Sequence, residues 1–530
     1  MKGKSLLLAG AAVMVLGSLT NAAFAGSSSP QPVDQPSNAE LAARIAALEA
    51  ELQAEEDHRS ADHTRLSTLE QNFNDTSWSF DNLRPTVKSG DGRFTMAFRV
   101  RFQADYANFF QDAPNSINNS ATRDLSNGAV IRRAYFGVEG KAFNDFWYEF
   151  RLNGGGSNGG SAGASGVPTG GEGDPLVNIA RVAYLGIPNL RINVGVIEPV
   201  FMFEGTVSSA GLMQMERPEI DNIAADSFGA GDSRRGIELV FQKQGIFKGD
   251  DNLVVSAAYT GNKTGSSVGH GNGGDEQSQV LGRISYRAWS DGISNLVFGA
   301  SGADAISTGG TGTATGAASI GSLNFQDRPE IRVDGTRLVS TGGVPAKSGY
   351  MYAFDAGMNW ENFFLGGEYA DFTMNRYTKF TPAILPGADH PSFSGWYIEG
   401  SWVLTGETKG YTVNSTNNEA GGFTAPVPGR PFSLAGDSWG AWEITARYSN
   451  TNLNSYSYLS TAQGGIFGGE EKIFTIGLNW YLNRAIKVQL QDEIVSVDRF
   501  SNLPSALAPG VNPQIGQDMN ILGIRVQFTN

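Results

Sequence analysis

Arginines stand at alternate positions in segments where every second residue is large and apolar, and a guanidinium held that way can hand an anion from one site to the next. In the stretch Arg93 to Tyr106, Phe94, Met96, Phe98, Val100, Phe102, Ala104 and Tyr106 share one parity, while Arg93, Arg99, Arg101 and Asp105 share the other. A partly dehydrated anion needs replacement hydrogen bonds, and the planar guanidinium fork supplies two at once to a phosphate or carboxylate. Several spaced arginines also keep each binding event weak enough for exit. The same parity, followed through later segments, places Arg133, Arg151, Lys487 and Arg525 on the polar face, with Lys141, Arg191, Arg283, Arg287 and Arg447 further along. Inward acids are Asp105, Glu139, Glu149, Glu238, Asp355, Glu368, Glu399 and Glu443. Around a closed barrel the first group forms a basic arc, and Asp355, Glu368, Glu399 and Glu443 face it, giving a transverse field. The alternative use of these arginines is pairing with acids such as Asp105 and Glu139 to stiffen a wall.

Other chemistry lacks its context. Gly436-Asp437-Ser438-Trp439-Gly440 matches a nucleophile elbow without a strand-turn-helix around it, so no enzyme is expected. His58, His63, His270 and His390 have no metal-ligand spacing, there is no cysteine, and no Asp or Asn spacing makes a calcium loop. Gly269 to Gly274 opens no helix and is not a phosphate cradle. No metal or cofactor is expected, and a net charge of -14 disfavours nucleic acid as a partner.

Elements that put large apolar residues on one face and charges on the other, over a long Gly-rich chain, describe a transmembrane barrel with lipid outside and water inside. Sixteen antiparallel strands are predicted: 93–106, 129–141, 146–154, 177–187, 190–198, 235–243, 252–261, 279–289, 294–302, 348–360, 363–376, 393–404, 439–451, 471–482, 485–498 and 518–528. Short links such as Asn144-Asp145, Pro188-Asn189 and Glu361-Asn362 alternate with long ones, as short periplasmic turns and long outer loops require. The exception is 405–438, long but on the turn side; a hairpin there would make eighteen strands. Tyr106, Trp147, Trp360, Trp396, Trp480 and Tyr481 suit interfacial girdles.

Ahead of the barrel, residues 1–25 read as a signal peptide, with Lys2 and Lys4, an apolar run from Ser5 to Gly17, and Ala23-Phe24-Ala25 for cleavage. Residues 26–37 are a Ser/Pro/Gln linker. Residues 38–73 form a helix whose Leu41, Ile45, Leu48 and Leu52 follow a coiled-coil seam, polar in its middle at Glu55, Arg59 and Asp62 and apolar again at Leu66, Leu69 and Phe73. A second linker, 74–92, leads to a barrel over 93–530.

Several segments resemble the phosphate-selective porin O and P family of bacterial outer-membrane porins. They are Arg132-Arg133-Ala134-Tyr135-Phe136-Gly137-Val138-Glu139-Gly140, Leu190 to Phe203, Ser401-Trp402-Val403-Leu404-Thr405-Gly406-Glu407, Gly440 to Tyr448 and Gly477-Leu478-Asn479-Trp480-Tyr481-Leu482-Asn483. The resemblance implies a sixteen-stranded trimeric porin with an N-terminal coiled coil, and an anion constriction at Arg132, Arg133 and Tyr135. Strand parity turns Arg133 and Tyr135 inward but Arg132 outward, which calls for a bulge or for snorkelling to the rim. The last strand, Asn520 to Phe528, resembles the signal read by the outer-membrane barrel assembly machinery, although Thr529 and Asn530 follow the Phe. Phosphate-preferring members are lysine- and arginine-rich around the mouth; here the loops are mostly Gly, Ser, Thr, Ala and Asn. Loop 199–234, the expected constriction loop, carries Glu204, Glu216, Glu219, Asp221, Asp226 and Asp232 against Arg217 and Arg234.

The expected function is passive diffusion of small solutes through an outer-membrane channel of a Gram-negative cell, biased toward small anions such as phosphate. A general or sugar-preferring porin is the alternative within transport. A tether, with the coiled coil reaching periplasmic peptidoglycan and the barrel serving as an anchor in lipid, is the alternative outside it.

Overall fold

Sixteen long antiparallel strands close into a barrel, because the last pairs with the first from Met519 opposite Gln111 to Thr529 opposite Arg101. The computed structural model describes residues 37–80, 83–111, 125–156, 177–231, 233–264, 276–309, 321–377, 384–500 and 514–530. The leader, nearly all of the first linker, Asp232 and parts of the long loops lie outside the described residues.

In chain order the barrel strands are β1 (Thr95–Gln111), β2 (Gly128–Ala142), β3 (Phe146–Asn153), β4 (Val177–Ile187), β5 (Leu190–Ile197) and β6 (Arg234–Gln244). β7 (Asn252–Lys263), β8 (Ser278–Ser290), β9 (Asn295–Ser307), β10 (Val344–Trp360) and β11 (Phe363–Arg376) follow. The circuit ends with β12 (Ser392–Val403), β13 (Ala441–Ser455), β14 (Ile466–Tyr481), β15 (Ile486–Phe500) and β16 (Gln514–Thr529). Closure gives each of the sixteen barrel strands a neighbour on both sides, which is what a sheet needs to sit in hydrocarbon. All sixteen match the sequence expectation, most running one to five residues longer at the long-loop end. The short strand Thr86–Lys88 pairs with the start of β1.

Alternation is the wall's organising rule. On β1, Phe102, Tyr106 and Phe110 point outward and are exposed, while Arg101, Gln103 and Asp105 point inward and are buried. Most outward side chains are apolar or aromatic, with Tyr106, Trp360 and Trp396 among them. Tyr481 is a correction: it points inward, 4% exposed, and donates to Glu443 at 2.6 Å. Trp147 shares the inward parity of Glu149 and Arg151 on β3 and likewise leaves the girdle.

Among the described residues, three inserts occupy the lumen. The loop expected over 199–234 supplies the first, 198–233, whose described residues cross the inside as an irregular chain with a 3-10 turn at Glu204–Thr206 and one short α-helix, α2 (Glu219–Ser227). Residues 321–343 of another long loop join it, burying Phe325, Ile331 and Val333. The third is a correction to the eighteen-strand alternative: 404–440 holds no barrel strand and enters from the turn end, burying Ala420 and Phe423.

Glycine makes the wall able to receive these inserts. Gly357 on β10 and Gly366 on β11 are direct register partners, and a Cβ on either would lie 2.4 or 2.8 Å from the Phe203 ring. The pair is therefore a socket for Phe203, closed by the rings of Phe364 and Phe423 at 6.4 and 5.9 Å. Inward polar side chains then satisfy the insert's backbone: Glu238 accepts from Val200 N at 2.7 Å, Glu368 from Phe203 N at 3.1 Å and Gln491 from Met215 N at 2.8 Å. Asn479 and Lys487 donate to the carbonyls of Met213 and Leu212 at 2.8 and 2.9 Å. Irregular backbone inside a barrel has few other partners, so much of the polar inner face serves to hold it.

The chain divides after Gln71, and the N-terminal unit holds all but the last three residues of the helix α1 (Asn38–Asn74). Its Leu41, Ile45, Leu48, Leu52, Leu66 and Leu69 are all exposed.

Candidate anion passage

The site begins with a register fault. Between β1 and β2, Gln103 pairs with Arg133 but Ala104 pairs with Ile131, so Arg132 is the extra residue of a bulge. A bulge lets two consecutive side chains face the same way. Arg132 and Arg133 are both buried, 6% exposed, and both reach Glu216 of the 198–233 insert, at 2.9 and 3.0 Å. The bulge, not snorkelling, resolves the parity conflict.

Around the bulge, Arg99, Arg101, Arg132, Arg133, Tyr135 and Arg151 line one cavity between β1–β4 and the inserts. Tyr135 is its organising ring: the guanidinium carbons of Arg151 and Arg101 lie 4.8 and 5.5 Å from its centroid. Stacking on a ring face fixes a guanidinium without consuming its hydrogen-bond donors. Arg99 donates to Glu139 and Glu149 at 2.9 and 3.0 Å, and Arg151 lies 3.6 Å from Glu149 and 3.5 Å from Glu198. Arg101 instead donates to the hydroxyls of Ser209 and Ser208, at 2.5 and 3.0 Å, and has no carboxylate partner among the described residues. A second cavity on the turn side shares Arg99, Arg101, Ser208, Asn417 and Glu419 with the first and is also lined by Lys487.

Two expected members stand elsewhere. Arg93 precedes β1, is half exposed and pairs with Asp91 at 2.7 Å, because the chain turns back on itself before the strand begins. Arg525 is fully buried against Asp105 and Glu216, both at 2.6 Å, and lines neither cavity.

The acidic insert differs from expectation more sharply. Burial alone would raise the Glu216 carboxyl, but Arg132, Arg133 and Arg525 outweigh it and hold Glu216 well below the usual carboxylate range. Glu216 is therefore a bolt between insert and wall and not a free negative charge. Glu219, 1% exposed at the start of α2, faces Glu471 on β14; burial and that neighbour push it well above its ordinary value. Asp221 lines the passage, where burial and Glu204 push it up to about 7. Asp226 also lines it and pairs with Lys263 at 3.1 Å.

The opposing acidic wall lies under the inserts and lines neither cavity. Asp355 pairs with Arg283 at 2.5 Å, Glu368 caps the Phe203 amide, Glu399 lies 3.5 Å from Arg447, and Glu443 pairs with Lys409 of the 404–440 insert at 2.9 Å. The transverse field read from strand order thus lacks its acidic side, because protein and not water covers those carboxylates. Acids that do reach the passage include Glu198 and Glu419, both in inserts.

Sequence reasoning missed Arg181, which lines the cavity, pairs with Glu149 at 2.8 Å and donates to Thr416 O at 2.6 Å. Its inward parity on β4, shared with Ile179 and Ala183, was a sufficient signal. Arg217, named in the expected constriction loop, does line the cavity, whereas Arg332 and Glu419 lie outside regular strands and carried no such signal.

The family model described as phosphate-selective porin O and P matches residues 96–529. Porin O of Pseudomonas aeruginosa is 22% identical over 437 residues, covering 78% of this chain and 86% of its own length. A Caulobacter vibrioides protein is 26% identical over 156 residues, 29% of this chain, and that match spans 26% of the Caulobacter protein. Among solved structures, OmpT of Vibrio cholerae superposes with a TM-score of 0.43 at 8% identity, covering 83% of this chain and 98% of its own. An anion-selective porin from Comamonas acidovorans gives 0.42 at 11% identity, covering 82% and 100%.

Proposed function

Because the chain belongs to the phosphate-selective porin O and P family and is thus an outer-membrane porin, we propose that its channel favours small anions, phosphate among them, over cations. The observation that carries this reading is Arg101: it lines both cavities, is fixed by two serine hydroxyls and the Tyr135 ring, and has no carboxylate partner among the described residues. A positive group so placed is available to a passing anion, and Arg151, Arg132 and Arg133 extend the basic lining outward. Weak multi-site binding lets the anion leave again.

The same reading includes export by the leader 1–25, insertion by the barrel assembly machinery, assembly as a homotrimer, and a periplasmic coiled coil over 38–73 that reaches peptidoglycan. The open leucine seam of α1 supports the last two, since an apolar stripe at heptad spacing is stable when another copy covers it.

Reversal potentials across a KCl gradient in planar bilayers test the reading. Chloride preference, with current blocked by added phosphate, is the expected result. A conducting channel with no ion preference would favour a general or sugar-preferring porin, and a sealed barrel would favour the tether.

A further inference from the structure

The neck shared by the two cavities has an acid as well as a base. Glu419, on the 404–440 insert, lines both cavities together with Arg101 of β1. Its backbone is pinned: Asn417 Oδ1 accepts from its N–H at 3.0 Å, Gly422 N donates to its carbonyl at 3.2 Å, and neighbouring Asn418 donates to Gly205 O at 3.1 Å. Gly422 permits this close approach, since a Cβ there would lie 2.2 Å from Thr206 O. The Glu419 carboxylate itself makes no hydrogen bond and no ion pair with any described residue. It is still near enough to act electrostatically on Arg101 and on Arg84.

A carboxylate and a guanidinium that face the same opening without closing into a salt bridge leave both charges available to a solute. The passage's other acids are mostly committed: Glu149 to Arg99 and Arg181, Glu216 to its arginine clamp, and Asp226 to Lys263. A simple anion gains from Arg101 and is repelled by Glu419. A zwitterion gains from both, provided its ammonium and oxyanion are a few bonds apart. Two charge-assisted contacts in a confined passage also orient the solute, which one contact does not.

We propose that the neck between Arg101 and Glu419 is a two-point site for small zwitterions, with a phosphonate or phosphate group on Arg101 and a primary ammonium on Glu419. The channel then passes amino-alkyl phosphonates and amino-alkyl phosphate monoesters in preference to anions of the same shape without the amine. This rests on the anion reading above and specifies its substrate class.

The test is block of chloride current through the full-length protein in planar bilayers, comparing 2-aminoethylphosphonate with propylphosphonate, and with inorganic phosphate as reference. In the wild type the aminated compound should half-block at a concentration several-fold lower than its alkyl counterpart. Glu419→Gln should bring the two within about twofold while phosphate block holds or strengthens, because an oxyanion loses a repulsion and an ammonium loses its partner. Glu419→Asp should retain the preference, and a wild-type thermal resistance of the barrel in both variants shows that the insert remains seated. An unchanged ratio in Glu419→Gln, or no preference in the wild type, overturns the two-point site and leaves the anion channel standing. Absence of phosphate block in the wild type overturns the anion reading and this inference with it.

Discussion

Arg525 on β16 and Glu216 on the 198–233 insert meet at 2.6 Å, with 0% and 3% of their side chains exposed, so the barrel's closing strand is bolted to the segment that crosses its lumen. Arg132 and Arg133 complete the clamp from the bulge on β2. Removing one partner from a buried cluster leaves the others uncompensated, at a cost of roughly 3–5 kcal/mol. We therefore expect Glu216→Ala to lower the thermal resistance of the barrel and to make single-channel current noisy as the insert loosens. Anion preference should rise, because Arg132 and Arg133, which line the passage, lose the carboxylate that offsets their charge. Glu219→Gln should leave reversal potentials unchanged, since Glu219 faces Glu471 and does not line the passage. Equal effects of the two variants would contradict the separate roles.

Much of this wall was legible because membrane and lumen impose a period-two pattern on each strand, as the outward Phe102 and Tyr106 against the inward Arg101 and Asp105 illustrate. The tandem Arg132-Arg133 called for a bulge or for snorkelling, since no regular strand can turn both inward, and the register fault decides between them. What stayed hidden was the use of the inner face. Whether Glu368 meets water or caps the Phe203 amide depends on an insert more than a hundred residues away in sequence, and period two carries no such information. Segment 404–440 was illegible for the same reason: its Phe423 reads as a loop residue until Phe203 and Phe364 are brought against it.

The basic lining can be separated from the basic structure. Arg101→Ala removes a cation without a carboxylate partner, so we expect chloride preference to fall several-fold with little change in barrel stability. Arg287 is buried, donates to Asn295 at 3.0 Å, stacks on Tyr411 at 4.9 Å and lines neither cavity. Arg287→Ala should lower thermal resistance and leave reversal potentials alone. A selectivity shift in Arg287→Ala as large as in Arg101→Ala would rule out the assigned path.

Selectivity should also depend on pH through Asp221. Its carboxyl stands near 7 because burial and Glu204 oppose ionisation more than Arg217 and Arg447 favour it; Glu368 adds a further acid nearby. Above that value a negative charge appears in the passage, so anion preference should decline as pH rises from about 6 to 8. The sign for stability follows. With its folded value above the ordinary 3.8, Asp221 weakens the insert's seat progressively as pH climbs from near 4 through about 7, and the weakening stays constant beyond. Asp221→Asn should flatten the selectivity profile over that window; a wild-type slope retained in the variant would assign it to another group.

The proposed trimer can be tested on the outer wall. Asp492 points outward on β15, in a register row with Ile476 on β14, Leu522 on β16 and Asn108 on β1. Ile476 and Leu522 are exposed apolar side chains, as a lipid-facing wall requires, whereas a carboxylate among them costs free energy that grows toward the middle of the bilayer. A neighbouring copy packed on this face would offer polar partners and remove that cost. On that basis Asp492→Leu should lower the temperature at which trimers dissociate in detergent. Asp371 also points outward, on β11, but is already bonded to the Ser392 hydroxyl at 3.0 Å, so Asp371→Leu should not lower it. If the face met lipid instead, Asp492→Leu would stabilise the barrel and leave dissociation unchanged. Because the chain has no cysteine, Leu522→Cys offers an independent reading: a bifunctional thiol reagent should link subunits there and fail at Ile398→Cys on β12. Cross-linking at both positions, or at neither, would sink the assignment of this face.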